Sequence, residues 1–151
     1  MSARAGAKAR SKKGEAHSKT FSWPMRVYYQ RTDAGGTVFH ADYLSFMECA
    51  RTGLLQSLGF DLGELARRDQ VLFVVHSAQI AYHKPALLND SLTVTARVAR
   101  AGQARLVFEQ AVSREEEVLA SAERTLACVS AKTYRPVAVP EAIREKLEGL
   151  R

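Results

Sequence analysis

One apolar helical pattern constrains the fold of this chain more than any other feature of the sequence. From Tyr43 onward, apolar side chains recur every three or four residues, as on one face of an α-helix: Tyr43, Phe46, Met47, Ala50, Leu54 and Leu58. Leu44 and Leu55 add a second flank, so the apolar surface is too wide for a helix on the outside of a protein. The pattern therefore predicts a covered helix, with Asp42 as its N-cap and Gly59 at its end.

Strand patterns lie on both sides of this helix. We expect a first strand from Ser22 to Gln30, in which Pro24 lies near the start, where a missing N–H is tolerated. A short second helix over Leu62 to Arg68 and a last one over Glu141 to Leu150 are also expected. Between them, short turns predict three successive antiparallel connections among four strands: Val71 to His83, Leu92 to Val98, Leu106 to Val112 and Val118 to Lys132.

This order of elements predicts an α+β fold, in which a curved antiparallel five-stranded sheet wraps around one long central helix. Such a sheet covers the helix on one side only, and its two edge strands carry unpaired backbone groups. We therefore expect a second copy of the chain to pair with it, giving a homo-oligomer. The length of 151 residues fits one domain, which we place at residues 20–151.

The basic character of the chain is concentrated at its beginning. Residues 1–19 carry +5 of the net charge of +6, which leaves +1 for the rest. Their Ala, Gly, Ser and Lys composition predicts a disordered basic tail, without the apolar region of a secretory signal. We expect a cytoplasmic protein whose folded domain does not bind nucleic acid. The tail is either a solvated extension or a contact to nucleic acid or an anionic membrane.

The cysteines and histidines do not indicate a metal centre. Cys49 and Cys128 lie singly among apolar neighbours, which is typical of buried thiols in a reducing compartment. No pair of cysteines or histidines has the spacing of metal ligands. We therefore expect neither a metal nor another cofactor.

The segment between the first strand and the central helix carries the candidate catalytic residue. Asp33 precedes the glycine turn Gly35-Gly36, which leads to the start of the helix. Free N–H groups at a helix N-terminus stabilise negative charge, so an acid beside them predicts catalysis on a carbonyl. We expect the two glycines to adopt backbone angles closed to other residues and to admit the substrate closely. An aspartate in such a loop can also be only a turn or capping residue.

Residues 21–147 resemble the hotdog-fold acyl-CoA thioesterases, specifically the 4-hydroxybenzoyl-CoA thioesterase family and its YbgC-type branch. The resemblance rests on short motifs: Phe21-Ser-Trp-Pro-Met-Arg-Val-Tyr-Tyr, Thr32-Asp33-Ala34-Gly35-Gly36 with Val38-Phe39-His40 and Tyr43, Phe46-Met47-Glu48, Ala50-Arg51-Thr52, and Ile80-Ala-Tyr82 with Pro85-Ala86 and Asn89-Asp90. The chain departs from the family at Thr37, where Val or Ile is more common, and at Asp42, where Asn or Ser is. We expect neither residue to touch Asp33.

The resemblance implies an acyl-CoA thioesterase in which Asp33 is the nucleophile or the general base. The backbone N–H near His40, with the first turn of the helix, would hold the carbonyl oxygen. The His40 side chain then either transfers a proton or is simply packed and hydrogen-bonded. Tyr43 is expected to face the acyl pocket, since a reference pKa of about 10 argues against proton transfer at neutral pH.

Charged residues around the loop are open to two interpretations. Glu48 lies three residues before Arg51 on the helix, which predicts a structural ion pair rather than a second catalytic acid. The phosphates of coenzyme A require cations, for which the candidates are Lys84, Arg97, Arg100 and Arg105, unless the partner chain supplies them.

The resemblance also implies assembly as a homotetramer, a dimer of dimers, and association with an acyl carrier protein or the cell-envelope Tol-Pal system. A chain that kept this fold without catalysis would instead be a binding module for acyl-CoA or an acyl carrier protein.

Overall fold

The computed structural model of the protein describes residues 19–151. The elements follow in chain order: strand β1 (Phe21–Arg26), a 3-10 turn (Tyr29–Arg31), helix α1 (Asp42–Ser57), helix α2 (Leu62–Glu64) with a π-helical turn (Leu65–Asp69), strands β2 (Val71–Tyr82), β3 (Ser91–Ala101), β4 (Arg105–Arg114) and β5 (Glu117–Ser130), and helix α3 (Glu141–Glu148). Except for Lys19, the predicted tail lies outside the described residues, so its disorder stays a prediction. None of the described helices is long and apolar enough to cross a bilayer.

The five strands form one antiparallel sheet in the order β1-β3-β4-β5-β2. The predicted five-stranded sheet and the two hairpins β3–β4 and β4–β5 are confirmed. The predicted pairing of β2 with β3 is wrong, because β2 pairs with β5 from Val71↔Ser130 to Tyr82↔Ala120. Strand β2 ends at Tyr82, just before Lys84-Pro85. Residues 83–90 then run to the opposite end of the sheet, beside β1, where the Asp90 carbonyl accepts from the Val27 N–H.

The first strand is shorter than predicted. It ends at Arg26, whose partner on β3 is Ser91, the first residue of that strand. Beyond Arg26, Val27 still exchanges backbone hydrogen bonds with Asp90 and Asn89, and the chain then turns into the 3-10 segment.

Helix α1 is the long central helix of the fold, and two shorter helices accompany it. Tyr43, Phe46, Met47, Ala50 and Leu54 are buried, as the sequence pattern predicts. The helix packs mainly against β1, β3 and β4. Gly53 allows this close approach, since a Cβ there would lie 2.7 Å from the Trp23 ring.

Helix α1 begins one residue earlier than predicted, and Asp42 is not its N-cap. The N-cap is Ala41, which offers no side-chain cap, while Asp42 is the first helical residue. The Asp42 N–H donates to the Phe39 carbonyl at 2.9 Å, so the chain already turns before the helix. The Asp42 carboxylate lies 3.5 Å from the Arg31 guanidinium, and its charge in the first turn still favours the helix.

Strand β2 forms one edge of the sheet, and most of it is uncovered. Six consecutive residues, Val74 to Gln79, are exposed, whereas β3 and β4 bury nearly every second side chain. The two edge strands that the sequence analysis expects are thus β1 and β2, and β2 is the one with a continuous exposed run.

Candidate active site

The Asp33 carboxylate is held by its own loop. Its Oδ1 accepts a hydrogen bond from the Gly35 N–H at 2.8 Å, and the Thr37 hydroxyl lies 3.3 Å from both carboxylate oxygens. The Asp33 N–H donates to the Thr37 carbonyl at 2.8 Å, which closes the loop. The side chain is exposed, so a fixed carboxylate is presented to solvent.

Thr37 therefore contradicts our expectation that neither departure from the family pattern touches Asp33. The turn at Gly36 brings the Thr37 side chain back to Asp33, four residues earlier in the chain. A hydroxyl at this position can donate to the carboxylate, which the more common Val or Ile cannot do.

The two glycines of the loop have different roles. Gly36 has φ of +81°, a conformation that other residues rarely adopt, as predicted. Gly35 does not have a positive φ, so the same prediction is wrong for it. A Cβ at Gly35 would lie 3.4 Å from Asp33 Oδ1, so this glycine keeps the space beside the carboxylate open.

The carbonyl oxygens of two successive peptide groups before α1 each accept a hydrogen bond. The Phe39 carbonyl accepts from the Asp42 N–H at 2.9 Å, and the His40 carbonyl accepts from the Tyr82 hydroxyl at 2.9 Å. Within residues 19–151, the N–H groups of His40 and Ala41 have no acceptor. This arrangement can bind an oxygen that develops negative charge. The His40 ring is exposed and packs against Phe39, with 4.5 Å between the ring centroids.

A cavity of about 270 Å³ lies beside this turn. Its lining residues come from the loop, α1 and the end of β2: Val38, His40, Tyr43, Tyr82, His83, Lys84 and Pro85. Asp33 is not one of the lining residues; Thr32, the residue before it, forms an antiparallel bridge with the lining residue Val38 at the base of the loop.

Tyr43 lies at the bottom of this region and belongs to the core. Its hydroxyl oxygen accepts from the Ala86 N–H at 3.0 Å, and its ring packs edge-on against Tyr82. Burial raises the pKa of Tyr43 above its ordinary value, which the hydrogen bond from Ala86 opposes. The hydroxyl therefore stays protonated at neutral pH, which fits a lining residue rather than a base.

Tyr82 is the site residue that our sequence reasoning missed as a candidate. It ends β2, is 46% exposed and bonds across 42 residues of chain to His40. A tyrosine at the end of a strand is common, and no local pattern in the sequence indicates that its hydroxyl reaches the loop.

The four candidate cations do not gather around Asp33 within one chain. Lys84 lies on the cavity rim, but its Nζ is 2.5 Å from Glu117 Oε2, and Arg97 is paired with Glu109. The Asp33 loop contacts residues 86–88, just before Ser91. At about 3.3 Å per residue along β3, Arg97 and Arg100 are about 20 and 30 Å beyond Ser91. Arg100 and Arg105 instead line a separate cavity of about 480 Å³ at the β3–β4 hairpin.

The predicted Glu48–Arg51 ion pair is wrong. Arg51 is turned under the sheet, where its guanidinium donates to Gln110 Oε1 at 3.1 Å, while Glu48 stays exposed. A second arginine, Arg124, is buried nearby, and its Nε has no hydrogen-bond partner among the described residues. Burial lowers the pKa of Arg51 to about 10, and the charge of Arg124 lowers it as well, against an opposing effect of Glu48.

Comparison with known proteins identifies the family of the chain. The family model described as the thioesterase superfamily matches residues 35–121, which begin two residues after Asp33. The chain is 40% identical to the acyl-CoA thioesterase YbgC of Haemophilus influenzae over 131 residues, 87% of this chain and 96% of the relative. It is 35% identical to the long-chain acyl-CoA thioesterase FadM of Escherichia coli, over 83% of this chain and 96% of the relative.

The crystal structure of a probable thioesterase from Bartonella henselae superposes with a TM-score of 0.77 at 31% identity, covering 80% of this chain and 99% of the other. The hotdog fold expected from the sequence is thereby confirmed. The protein belongs to the thioesterase superfamily, in its YbgC-like branch.

Proposed function

We propose that the protein hydrolyses the thioester of an acyl-CoA to coenzyme A and a carboxylic acid, with Asp33 supplying the attack. The observation that carries this proposal is the position of Asp33. Its carboxylate is held by the Gly35 N–H and Thr37, seven residues before a His40 N–H that, like the Ala41 N–H, has no acceptor within residues 19–151. An oriented carboxylate and oriented donors are the two parts that hydrolysis of an already activated thioester requires. The activities named for the relatives support the same reaction.

Two routes use the same residues. In the first, an Asp33 oxygen attacks the carbonyl carbon, the coenzyme A thiolate leaves, and water then cleaves the resulting anhydride. In the second, Asp33 takes a proton from water while the water oxygen attacks the carbonyl, and the thiolate leaves as the tetrahedral intermediate collapses. In both routes the carbonyl oxygen gains negative charge, which the His40 N–H and the first turn of α1 would stabilise.

The donor at His40 belongs to the backbone, so replacing the His40 side chain should have a mild effect. The loss of one oxyanion donor typically lowers turnover by about 10²–10³, and no substitution except proline, which lacks the N–H, removes this one. The exposed His40 ring, which bonds to no described side chain, fits this assignment.

We propose that the working enzyme is a homo-oligomer, a dimer of dimers, paired through β2. Its residues Val74 to Gln79 are exposed, and its outer edge pairs with no other strand among residues 19–151. A partner could then supply the nucleotide contacts, since Arg97, Arg100 and Arg105 are far from the Asp33 loop of their own chain. A cytoplasmic location and association with an acyl carrier protein or Tol-Pal remain predictions from the family resemblance.

The test is hydrolysis of a panel of acyl-CoAs of increasing chain length, with one aromatic ester included, followed as release of the free thiol of coenzyme A. Asp33→Asn and Asp33→Ala should lower turnover at least about a hundredfold while the protein stays folded. Asp69→Asn, which changes an exposed acid in the π-helical turn, is the matched control and should retain full turnover.

Full activity in either Asp33 variant would overturn the assignment of the catalytic acid. Tight binding of acyl-CoA without hydrolysis by the unaltered chain would instead favour the non-catalytic binding module. Deleting residues 1–19 tests whether the tail has a function separate from catalysis. Hydrolysis should not change, even if binding to a nucleic acid or membrane partner is lost.

A further inference from the structure

Tyr82 makes a hydrogen bond that links the edge of the sheet to the turn ahead of α1. Its hydroxyl donates to the His40 carbonyl at 2.9 Å, and it is the side chain that reaches this carbonyl among the described residues. The ring lies edge-on to Tyr43 at 5.4 Å and to His40 at 6.4 Å between centroids. The hydroxyl is therefore placed by ring packing on two sides.

The planarity of the peptide group makes this bond relevant to the site. The His40 carbonyl and the Ala41 N–H belong to one rigid plane and point in opposite directions. A hydroxyl that fixes the carbonyl thus also fixes the direction of the Ala41 N–H, which has no acceptor within residues 19–151. The preceding peptide is fixed in the same way, because the Phe39 carbonyl accepts from the Asp42 N–H.

The two hydrogen bonds that fix these peptide groups come from different parts of the chain. The Phe39 carbonyl is held by the neighbouring backbone, so this part of the turn forms locally. The His40 carbonyl is held by a side chain at the end of β2, 42 residues further along the chain. The orientation of the second peptide therefore depends on how β2 is placed, and β2 is the exposed edge of the sheet.

We propose that Tyr82 is a positioning residue, whose hydroxyl orients the peptide that follows His40 and so completes the donor group that holds the thioester oxygen. This inference rests on the proposed hydrolysis. A donor that is aimed in advance acts in the transition state, where the oxygen becomes negative, and it adds little to binding of the neutral thioester. A hydrogen bond accepted by the carbonyl also polarises the peptide and strengthens its N–H as a donor.

The test is steady-state kinetics of Tyr82→Phe in the full chain, with an acyl-CoA that the unaltered protein hydrolyses. We expect kcat to fall about three- to tenfold with KM unchanged, the effect of losing one neutral hydrogen bond from the transition state. Tyr134→Phe makes the same chemical change in an exposed tyrosine beyond the other end of β5, and it should leave both constants unchanged. A rise in KM with kcat retained would show that Tyr82 only lines the acyl pocket, and would overturn the proposal.

Amide hydrogen exchange gives a second readout that does not depend on activity. In Tyr82→Phe, a peptide spanning residues 38–43 should exchange faster, while peptides of β3 and β4 should not change. Unchanged exchange in that peptide would overturn the proposal even if the protein hydrolyses no acyl-CoA. If Asp33→Asn is inactive while Tyr82→Phe keeps full kcat, the proposed function stands and the role of Tyr82 alone fails.

Discussion

The Asp33 loop and the two buried arginines, Arg51 of α1 and Arg124 of β5, hold charge in opposite environments. Asp33 is exposed, and short bonds from its own loop hold its carboxylate. Arg51 and Arg124 are only 6% and 4% exposed, and no carboxylate lies within ion-pairing distance of either guanidinium in the described part of the chain.

Substitutions in the Asp33 loop should therefore change turnover, whereas substitutions of the buried arginines should change the free energy of unfolding. An exposed carboxylate whose partners in the described part of the chain all belong to its own loop can be altered at little cost to the fold, so substitutions there should change turnover. A buried cation with few partners lowers stability as long as it is charged. Because burial lowers the pKa of Arg51 to about 10, that cost is present at neutral pH and is relieved only as the pH rises through about 10.

The largest effect on stability is expected for Arg51→Met. This change keeps much of the side-chain volume but leaves the buried Gln110 Oε1 without its donor. Such a loss costs about 1–3 kcal/mol of the free energy of unfolding, which urea denaturation measures. Turnover per folded molecule should not change. An unchanged free energy of unfolding would show that relief of the buried charge offsets the whole loss of the Arg51–Gln110 bond, and would contradict the prediction.

Arg124→Met is the matched change at the other buried arginine, and we expect the opposite sign. The Arg124 guanidinium makes one long bond, 3.4 Å to the Leu44 carbonyl, and its Nε has no described partner. Replacing a poorly paired buried charge by an apolar side chain should be neutral or raise the free energy of unfolding by about 1 kcal/mol. A loss as large as that of Arg51→Met would mean that the two arginines act as one bonded unit.

The smallest effect is expected for Thr37→Val, in the loop. Valine has nearly the same shape but cannot donate to Asp33, to which the Thr37 hydroxyl is 3.3 Å distant. We expect turnover to change by about threefold, as one weak hydrogen bond allows, and stability to change by less than about 0.5 kcal/mol. If Thr37→Val changes the free energy of unfolding but not turnover, the loop does not differ from the buried arginines in the way we infer.

The sequence predicts the parts of the fold that have a strong local period. The apolar stripe of α1 and the alternation in β3 and β4 follow from spacing alone, and both are found. The position of β2 is different, because pairing with β5 instead of β3 depends on the crossing made by residues 83–90. The alternation of apolar residues predicts that a strand forms, but it does not indicate which other strand it pairs with.

The candidate site divides in the same way. The loop around Asp33 is visible in the sequence, since its acid and glycines are neighbours along the chain. The contacts of Tyr82 with His40 and of Arg51 with Gln110 join residues 42 and 59 positions apart. A spacing of three residues instead indicated a partner for Arg51 that it does not have. Contacts over such separations follow from the packing of whole elements, which a single sequence does not specify.

The pairing of β1 with β3 has a consequence for how the protein assembles in time. Phe21 pairs with Ala96, whereas β3, β4 and β5 are consecutive hairpins. Contacts between residues close in sequence form sooner than contacts that close long loops, so the three hairpin strands should form first during folding. The Asp33 segment lies between β1 and α1, and residues 86–88 hold it in place. It should therefore be among the last parts to become native and among the first to open, so that catalytic competence is lost before the sheet unfolds.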